Sequence, residues 1–299
     1  MAALPAPGLG SVAHGEPTAR SSGFARRAGR ARSDRARGIT VGGVGVSGVG
    51  ELLREWRTGR RLSQLELSVR AGVSARHLSF LETGRSRPTR DMILRLAEEL
   101  AVPLRSRNEL LLAGGFAPAY GETALDGPPL ATVLSSLRDV LAGHAPYPAI
   151  LIDRHWTMVD ANDAVARFTG GCAAWLLEPP VNVLRLSLHP DGMAPRIRNL
   201  AEWRAHVLHR LDQQAAATAD PVLRELRAEL AGYPGGTREA TFRPDGLVVP
   251  LRFDDLTFFS ITSVLGTPLD VTLSELAIES FLPADAATAA ALHGWERGK

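Results

Sequence analysis

LSQLELSVRAGVSARHLSFLETG, residues 62–84, predicts two short helices joined by a tight turn. Ser63 can cap the first helix, and Glu66 at the third position after it completes a capping box. Gly72 stands where the chain has to pass through a left-handed backbone conformation, which glycine adopts without steric strain. Ser74 then caps the second helix. Because these local signals agree, we expect a helix-turn-helix unit at this point in the chain.

The second helix of the pair has an apolar face and a polar face. Leu78 and Leu81 share the face that packs inward, and the period of about 3.6 residues turns the polar side chains outward. An outward polar face on such a helix is typical of one that enters the major groove of DNA. The side chains expected to contact DNA are Gln64, Ser74, Ala75, Arg76, His77, Ser79, Phe80, Thr83, Arg85, Arg87 and Arg90.

These side chains divide into base-reading and phosphate-binding groups. Arg76 can donate two hydrogen bonds to guanine, and Phe80 suits a thymine methyl or a sugar edge. Gln64 and the arginines after the helix are expected on phosphates, which fix the register of the protein on DNA. Glu82 lies near the inward face, so we expect it to pair with an arginine of the same bundle. The alternative is a helical pair that serves protein contacts.

The remaining pattern divides the chain into four parts. Residues 1–48 hold seven arginines between Arg20 and Arg37 but few large apolar side chains, which favours a disordered, solvated tail over an arm on DNA phosphates. Residues 49–116 contain five short helical patterns and are expected to form an all-α domain. Residues 117–129 are rich in Gly and Pro and predict a linker. Residues 130–295 form the second domain.

Composition limits the classes of protein that fit. Residues 1–120 carry 19 arginines and 10 acidic residues, whereas the remainder carries a net charge of −7, so only the N-terminal half is suited to a polyanion. A single cysteine, Cys172, excludes a disulfide scaffold and indicates a cytoplasmic location. No apolar run approaches the roughly 18 residues of a membrane-spanning helix, so membrane insertion is not expected.

The second domain mixes strands and helices. Two short apolar runs flank Asp153-Arg154 and predict a hairpin, and amphipathic helices follow up to residue 233. Three β-rich runs, at 246–253, 256–264 and 275–283, precede a last helix. Two strands, then helices, then three strands predict an α+β domain with a mostly antiparallel sheet.

Two resemblances narrow this interpretation. The segment AGVSARHLSFLETGRSRPTRDMILRLAEEL, residues 71–100, resembles the XRE/Cro-type helix-turn-helix family. The continuation VPLRSRNELLLAGGFAPAY, with ILIDRHWTMVDAN, NVLRLSLHP, WRAHVLHRL and TPLDVTLSELAIESFLPAD, resembles the MmyB-like transcription regulators. The second resemblance implies a PAS-like C-terminal domain with a ligand pocket, for which fatty-acid-like molecules are one proposed class of ligand.

The ligand pocket should be an apolar cavity with few polar groups. Aromatic side chains would form its walls, and arginine or histidine side chains would hold an acidic headgroup. The candidates are Trp156, Phe168, Arg185, His189, Arg198, Trp203, Phe253 and Phe258. His206 and His209 share a helix with Glu202, but we favour a solvated face over a metal site. No catalytic motif is evident, and neither a metal nor a cofactor is expected.

The sequence as a whole predicts a cytoplasmic transcription regulator. It would bind a double-stranded DNA operator as a homodimer, and its second domain would sense a small apolar or acidic, fatty-acid-like ligand. One rival interpretation makes the second domain a module for dimerisation or for a protein partner, with no small ligand. The other is an enzyme fused to a DNA-binding head.

Overall fold

The computed structural model describes residues 48–235 and 248–297. All of them lie within one compact unit, Val46–Lys299. The predicted tail, apart from residue 48, and the first two residues of the predicted strand 246–253 lie outside the described residues.

Local capping determines the two helices at the centre of the N-terminal bundle. The side chain of Ser63 accepts a hydrogen bond from the Glu66 amide, and the Glu66 carboxylate accepts one from the Ser63 amide, so the capping box at the start of α2 (Gln64–Arg70) is confirmed. Ser74 caps α3 (Ala75–Glu82) in the predicted way. Gly72, between the helices, has a φ of +63°, as the turn requires.

Three more helices complete the bundle, which confirms the five that the sequence predicts. They are α1 (Val49–Gly59), α4 (Arg90–Glu99) and α5 (Leu104–Ala113). Leucines from all five helices, Leu53, Leu67, Leu78, Leu96 and Leu110 among them, meet in one buried cluster. A side chain at Gly50 would place its Cβ 2.2 Å from the Leu81 carbonyl oxygen, so α1 packs directly on the backbone of α3.

The C-terminal domain is built on an antiparallel sheet. The strands within the described residues are β1 (Ala149–Ile152), β2 (Met158–Ala161), β3 (Leu251–Phe253), β4 (Leu256–Val264) and β5 (Ala277–Pro283). Their order across the sheet is β2-β1-β5-β4-β3, and every neighbouring pair is antiparallel. The expected α+β architecture is confirmed.

Helices cover both faces of this sheet. On one face lies α6 (Pro128–Gly143), which packs Leu130, Leu134 and Leu141 against the strands. The helices on the other side are α7 (Ala166–Thr169), α8 (Val183–Leu188), α9 (Leu200–Thr218) and α10 (Pro221–Gly232). The short α11 (Val271–Ser274) precedes β5, and α12 (Ala286–Arg297) follows it. Strand β1 is apolar throughout because its alternating side chains enter different cores on the two faces.

Candidate functional sites

The outer face of α3 carries the side chains that the sequence assigns to DNA bases. Leu78 and Leu81 are buried, which leaves Arg76 and Thr83 exposed, with Ser79 and Phe80 partly exposed between them. The Thr83 hydroxyl donates to the Ser79 carbonyl at 2.7 Å, so towards a partner it can only accept. Ala75 and His77 are half-buried at the start of the same helix, behind the cap that Ser74 forms.

Phe80 holds two arginines in place. The Arg76 guanidinium lies 5.4 Å from the centre of the Phe80 ring, and the Arg85 guanidinium lies 6.0 Å from it. Both distances are within the range of cation–π attraction. The outward aromatic side chain therefore has a role within the protein, since it restricts two cations that the sequence assigns to DNA.

Of the side chains predicted to bind phosphates, one already has a hydrogen-bond partner within the bundle. Arg85, Arg87 and Arg90 are exposed beside α3. The Gln64 side chain instead donates a hydrogen bond to Glu82 at 2.8 Å, which leaves its carbonyl oxygen and one N–H for another partner.

Glu82 pairs with an arginine of the same bundle, as expected. Nε and Nη2 of Arg57 donate to its two carboxylate oxygens at 2.6 and 2.9 Å, and both side chains are almost fully buried. Burial by itself would raise the pKa of Glu82, but the hydrogen bonds from Arg57 and Gln64 outweigh it and hold the pKa below its ordinary value. The ion pair fixes α3, on which Glu82 lies, against α1.

A cavity of about 80 Å³ lies between the sheet and the helices of the C-terminal domain. Its walls are largely apolar and come from strands β1, β2, β3 and β5, from helices α7, α8 and α9, and from the turn after β1. Trp156, Phe168 and Trp203, three of the predicted ligand-binding residues, line it. Phe253 and Phe258 are buried in the same core, where both rings contact Phe168 at centroid distances of 4.8 and 5.3 Å.

The predicted headgroup residues lie elsewhere. Arg185 is exposed and makes two 2.8 Å hydrogen bonds to Glu229. Arg198 is exposed and pairs with Asp255. The His189 ring packs edge-on against Trp175 and Tyr233, and its Nδ1 accepts a hydrogen bond from the Asp191 amide. None of these three lines the cavity within the described residues.

The sequence interpretation missed the ion pair that does line the cavity. Nη1 and Nη2 of Arg210 donate to the two carboxylate oxygens of Glu279 at 2.8 and 3.1 Å, and the Thr262 hydroxyl donates to Glu279 at 2.7 Å. Burial by itself would raise the pKa of Glu279, but the bonds and charge of Arg210 hold it below the ordinary value. The spacing of Trp203, Val207 and Arg210 on one stripe of α9 was the available signal.

Trp156 separates the cavity from a cleft that faces the helical bundle. Together with Arg210 it lines both spaces. Its φ of +66° is a strained conformation for a bulky residue, held by a hydrogen bond from its indole N–H to Gln214 at 2.8 Å. The Arg210 guanidinium lies 4.8 Å from the centre of its ring.

Polar contacts continue from Trp156 to the helical bundle. The Gln214 side chain donates to the Arg154 carbonyl at 2.9 Å, and the Arg154 guanidinium donates to Glu275 at 3.3 Å. Glu275 also accepts two hydrogen bonds from Arg105 on α5, at 2.8 and 2.9 Å. The wall of the cavity is thus connected to the domain that carries α3.

The other candidate groups have a structural explanation. Within the described residues, no group of three or more His, Cys, Asp or Glu side chains is placed to hold a metal ion. The pKa of Cys172 is raised by burial, so its thiol is less reactive than a free one. In the same part of the chain, no helix has both the length and the apolar character that crossing a membrane requires.

Comparison with known families agrees with this geometry. Residues 53–106 match the helix-turn-helix family model, and residues 133–294 match that of the MmyB-like transcription regulator ligand binding domain. No curated protein matches the chain. A helix-turn-helix unit followed by a ligand-binding domain defines a DNA-binding transcription regulator with a ligand-sensing domain. The chain belongs to the MmyB-like transcription regulators, since that domain alone covers more than half of it.

Proposed function

We propose that this regulator reads an operator through α3 and that occupation of the cavity in its C-terminal domain changes its affinity for that operator. The main support for this proposal is the position of Trp156 and Arg210, which line both the cavity and the cleft towards the helical bundle. A molecule that enters the cavity contacts side chains whose other surface faces the DNA-binding domain.

The face of α3 supplies the contacts to DNA. Arg76 reads a base, and Ser79, Phe80 and Thr83 complete the contacts in the major groove, with Ala75 and His77 at the leading end. The amide of Ser74 and the side chains of Gln64, Arg85, Arg87 and Arg90 bind phosphates. The exposure of these arginines and the positions of Arg76 and Arg85 against Phe80 support this assignment.

The protein acts on DNA as a homodimer in this proposal. Dimers of this motif bind half-sites about one helical turn, roughly 34–36 Å, apart, so a two-fold symmetric operator is expected. A shift between the two DNA-binding domains would change affinity without altering either reading face. Sedimentation measurements of the free protein, and of its complexes with operators of varied half-site spacing, test the homodimer separately.

The ligand is a small and largely apolar molecule. Apolar walls with few polar groups are typical of small-molecule sites, although about 80 Å³ is below the usual range of about 300–1,000 Å³. A long fatty acid therefore needs the cavity to widen. The alternative ligand is a short fatty-acid-like acid, whose carboxylate would bind to Arg210 in the cavity wall.

The test begins with extraction of purified protein by organic solvent and mass spectrometry of the extract. Operators are selected from a random duplex library, and their affinity is then measured with and without the recovered molecule. Val183→Phe, which fills the cavity from its half-buried wall, should abolish the response and leave basal DNA binding intact. A regulator that binds the operator equally well with and without a saturating cavity ligand contradicts the proposal and favours a protein-binding role for the second domain.

A further inference from the structure

The charged groups along the cavity wall neutralise each other. Arg210 and Glu279 are the charged side chains among the described residues that line it. Glu279 is only 2% exposed, and Arg210 and Thr262 together donate three hydrogen bonds to its two oxygens. The protein thus already supplies the carboxylate that the cavity arginine binds. A second carboxylate entering here would bring an uncompensated negative charge into apolar surroundings, which is strongly unfavourable.

One hydroxyl in the same wall has a hydrogen to donate. Ser187 lines the cavity, is 9% exposed, and accepts a 3.0 Å hydrogen bond from the indole N–H of Trp203. No described residue accepts the Ser187 hydrogen. The other hydroxyl in the wall, that of Thr169, donates to the Ala166 carbonyl at 3.1 Å. Ser187 is therefore oriented by Trp203 and left with one donor for a ligand.

We propose that the cavity selects an uncharged ligand that carries a carbonyl-type oxygen, such as a small ketone, aldehyde, ester or lactone, and excludes the corresponding carboxylate. This inference rests on the proposed ligand-sensing function and narrows its ligand class. Ser187 donates to the carbonyl oxygen, and the apolar walls cover the hydrocarbon part. One water molecule needs about 10–15 Å³ of such space, so a cavity of about 80 Å³ has room for on the order of six water-sized groups. This size suits a small ligand.

Three probes of nearly equal shape test the selection. Butyl methyl ketone differs from pentanoate by a methyl group in place of one oxygen, and isoheptane replaces both oxygens by methyl groups. Binding to the full chain is followed at neutral pH by tryptophan fluorescence, since Trp156 and Trp203 line the cavity, and by the shift in melting temperature. We expect the ketone to bind at least about tenfold more tightly than pentanoate, a difference of about 1.4 kcal/mol.

Two variants separate the contributions. Ser187→Ala should weaken ketone binding about fivefold and leave isoheptane binding unchanged, because only the ketone loses a hydrogen bond. Glu279→Gln should free the charge of Arg210 and reverse the preference in favour of pentanoate. Asp212→Asn is the matched control, since it removes the carboxylate of an exposed ion pair with Arg227 and lies on the same helix as Arg210. It should leave the binding of all three probes unchanged.

The outcomes distinguish this inference from the function on which it rests. Pentanoate binding as tightly as the ketone in the wild-type protein overturns the inference and leaves a ligand-sensing domain in place. Absence of binding by all three probes counts against the ligand cavity itself and therefore against both. If circular dichroism shows that Glu279→Gln does not fold, the wild-type preference and the Ser187→Ala result decide the matter.

Discussion

Arg57 and Glu82 form the buried ion pair on which the position of α3 depends. Glu82 also accepts a hydrogen bond from the Gln64 side chain. The loss of Glu82 therefore leaves a buried guanidinium and a side-chain amide without this acceptor. Removal of one partner of a buried pair typically costs about 3–5 kcal/mol. We expect Glu82→Ala to lower the free energy of unfolding of the helical bundle by that amount, measured by denaturant titration. Glu98→Ala, on the exposed face of α4, should change it by less than about 0.5 kcal/mol.

The pH dependence of stability, compared between the wild type and Glu82→Gln, gives an independent check of the same carboxylate. The folded-state pKa of Glu82 lies below its ordinary value of 4.5, so its stabilising effect is present above that value. This effect is lost as the pH falls through the folded-state pKa, because both states then bind the proton. The bundle of Glu82→Gln should therefore lose less stability than the wild type on acidification below about pH 4.5. Parallel acid profiles of the two proteins would mean that the pair does not contribute.

Arg76 and Arg87 should differ in how their loss affects DNA binding. Arg76→Ala is expected to cost about 1–3 kcal/mol on the preferred operator and to relax specificity at one base pair. Arg87→Ala should weaken binding to all sequences alike and reduce the slope of affinity against salt by about one. Anisotropy titrations on the operator and on single-base variants measure both effects. Uniform weakening by Arg76→Ala would assign that arginine to phosphates.

Residue-level prediction succeeded where the signal is local. The outward position of Arg76 and the inward position of Leu78 follow from helical periodicity within one short helix. The Arg210–Glu279 pair brings together residues 69 positions apart, through the packing of α9 on β5, which periodicity within either element does not determine. Arg185 and Arg198 were equally good headgroup candidates by residue type, and only the tertiary structure shows their pairing with Glu229 and Asp255.

At the level of elements, the turn between α2 and α3 depends on backbone conformation alone. Gly72 has a φ of +63°, and a Cβ at this position would meet nothing within 4 Å. Gly72→Ala should therefore destabilise the bundle by about 1–2 kcal/mol through conformational strain without any clash. Gly59, at the end of α1, is equally uncrowded but has no positive φ. Gly59→Ala should be neutral or stabilising by up to about 1 kcal/mol, because alanine favours the helix.

Thermal unfolding of both glycine variants provides the measurement. Equal loss of stability in Gly72→Ala and Gly59→Ala would show that side-chain volume, rather than the sign of φ, limits these positions. The two-helix unit was predictable because each of its determinants acts within four residues, as in the capping box of Ser63 and Glu66. The sheet was predictable only as a class. The pairing of β1 with β5 joins segments about 130 residues apart, which no local pattern specifies.

At the scale of the whole molecule, Glu275 joins the two domains. It accepts hydrogen bonds from Arg105 of the helical bundle and from Arg154 of the C-terminal domain, and it is about one-fifth exposed. Arg60 adds a second connection through its 3.0 Å hydrogen bond to the Ala217 carbonyl at the end of α9. These contacts link the operator-binding unit to the domain that holds the cavity.

Glu275→Gln should therefore loosen the helical bundle from the C-terminal domain. A loss of about 1 kcal/mol corresponds to a fall of about 4–8 °C in the melting temperature of a domain of this size. Scanning calorimetry of the full chain should show the bundle melting earlier and more separately from the C-terminal domain. Glu122→Gln removes the other carboxylate on Arg105, which is more than half exposed, and should have a smaller effect.

Glu275→Gln also tests whether this contact transmits ligand binding from the cavity to α3 or only holds the two domains together. If Glu275 transmits occupation of the cavity to α3, Glu275→Gln should retain ligand binding and operator binding while the effect of one on the other declines. Ligand-induced changes in affinity are coupling free energies of about 1–3 kcal/mol, so the loss of the Glu275 connection is measurable. An unchanged ligand response in a protein whose domains melt separately would exclude Glu275 from the coupling and leave the Arg60 contact with α9 as the connection to vary next.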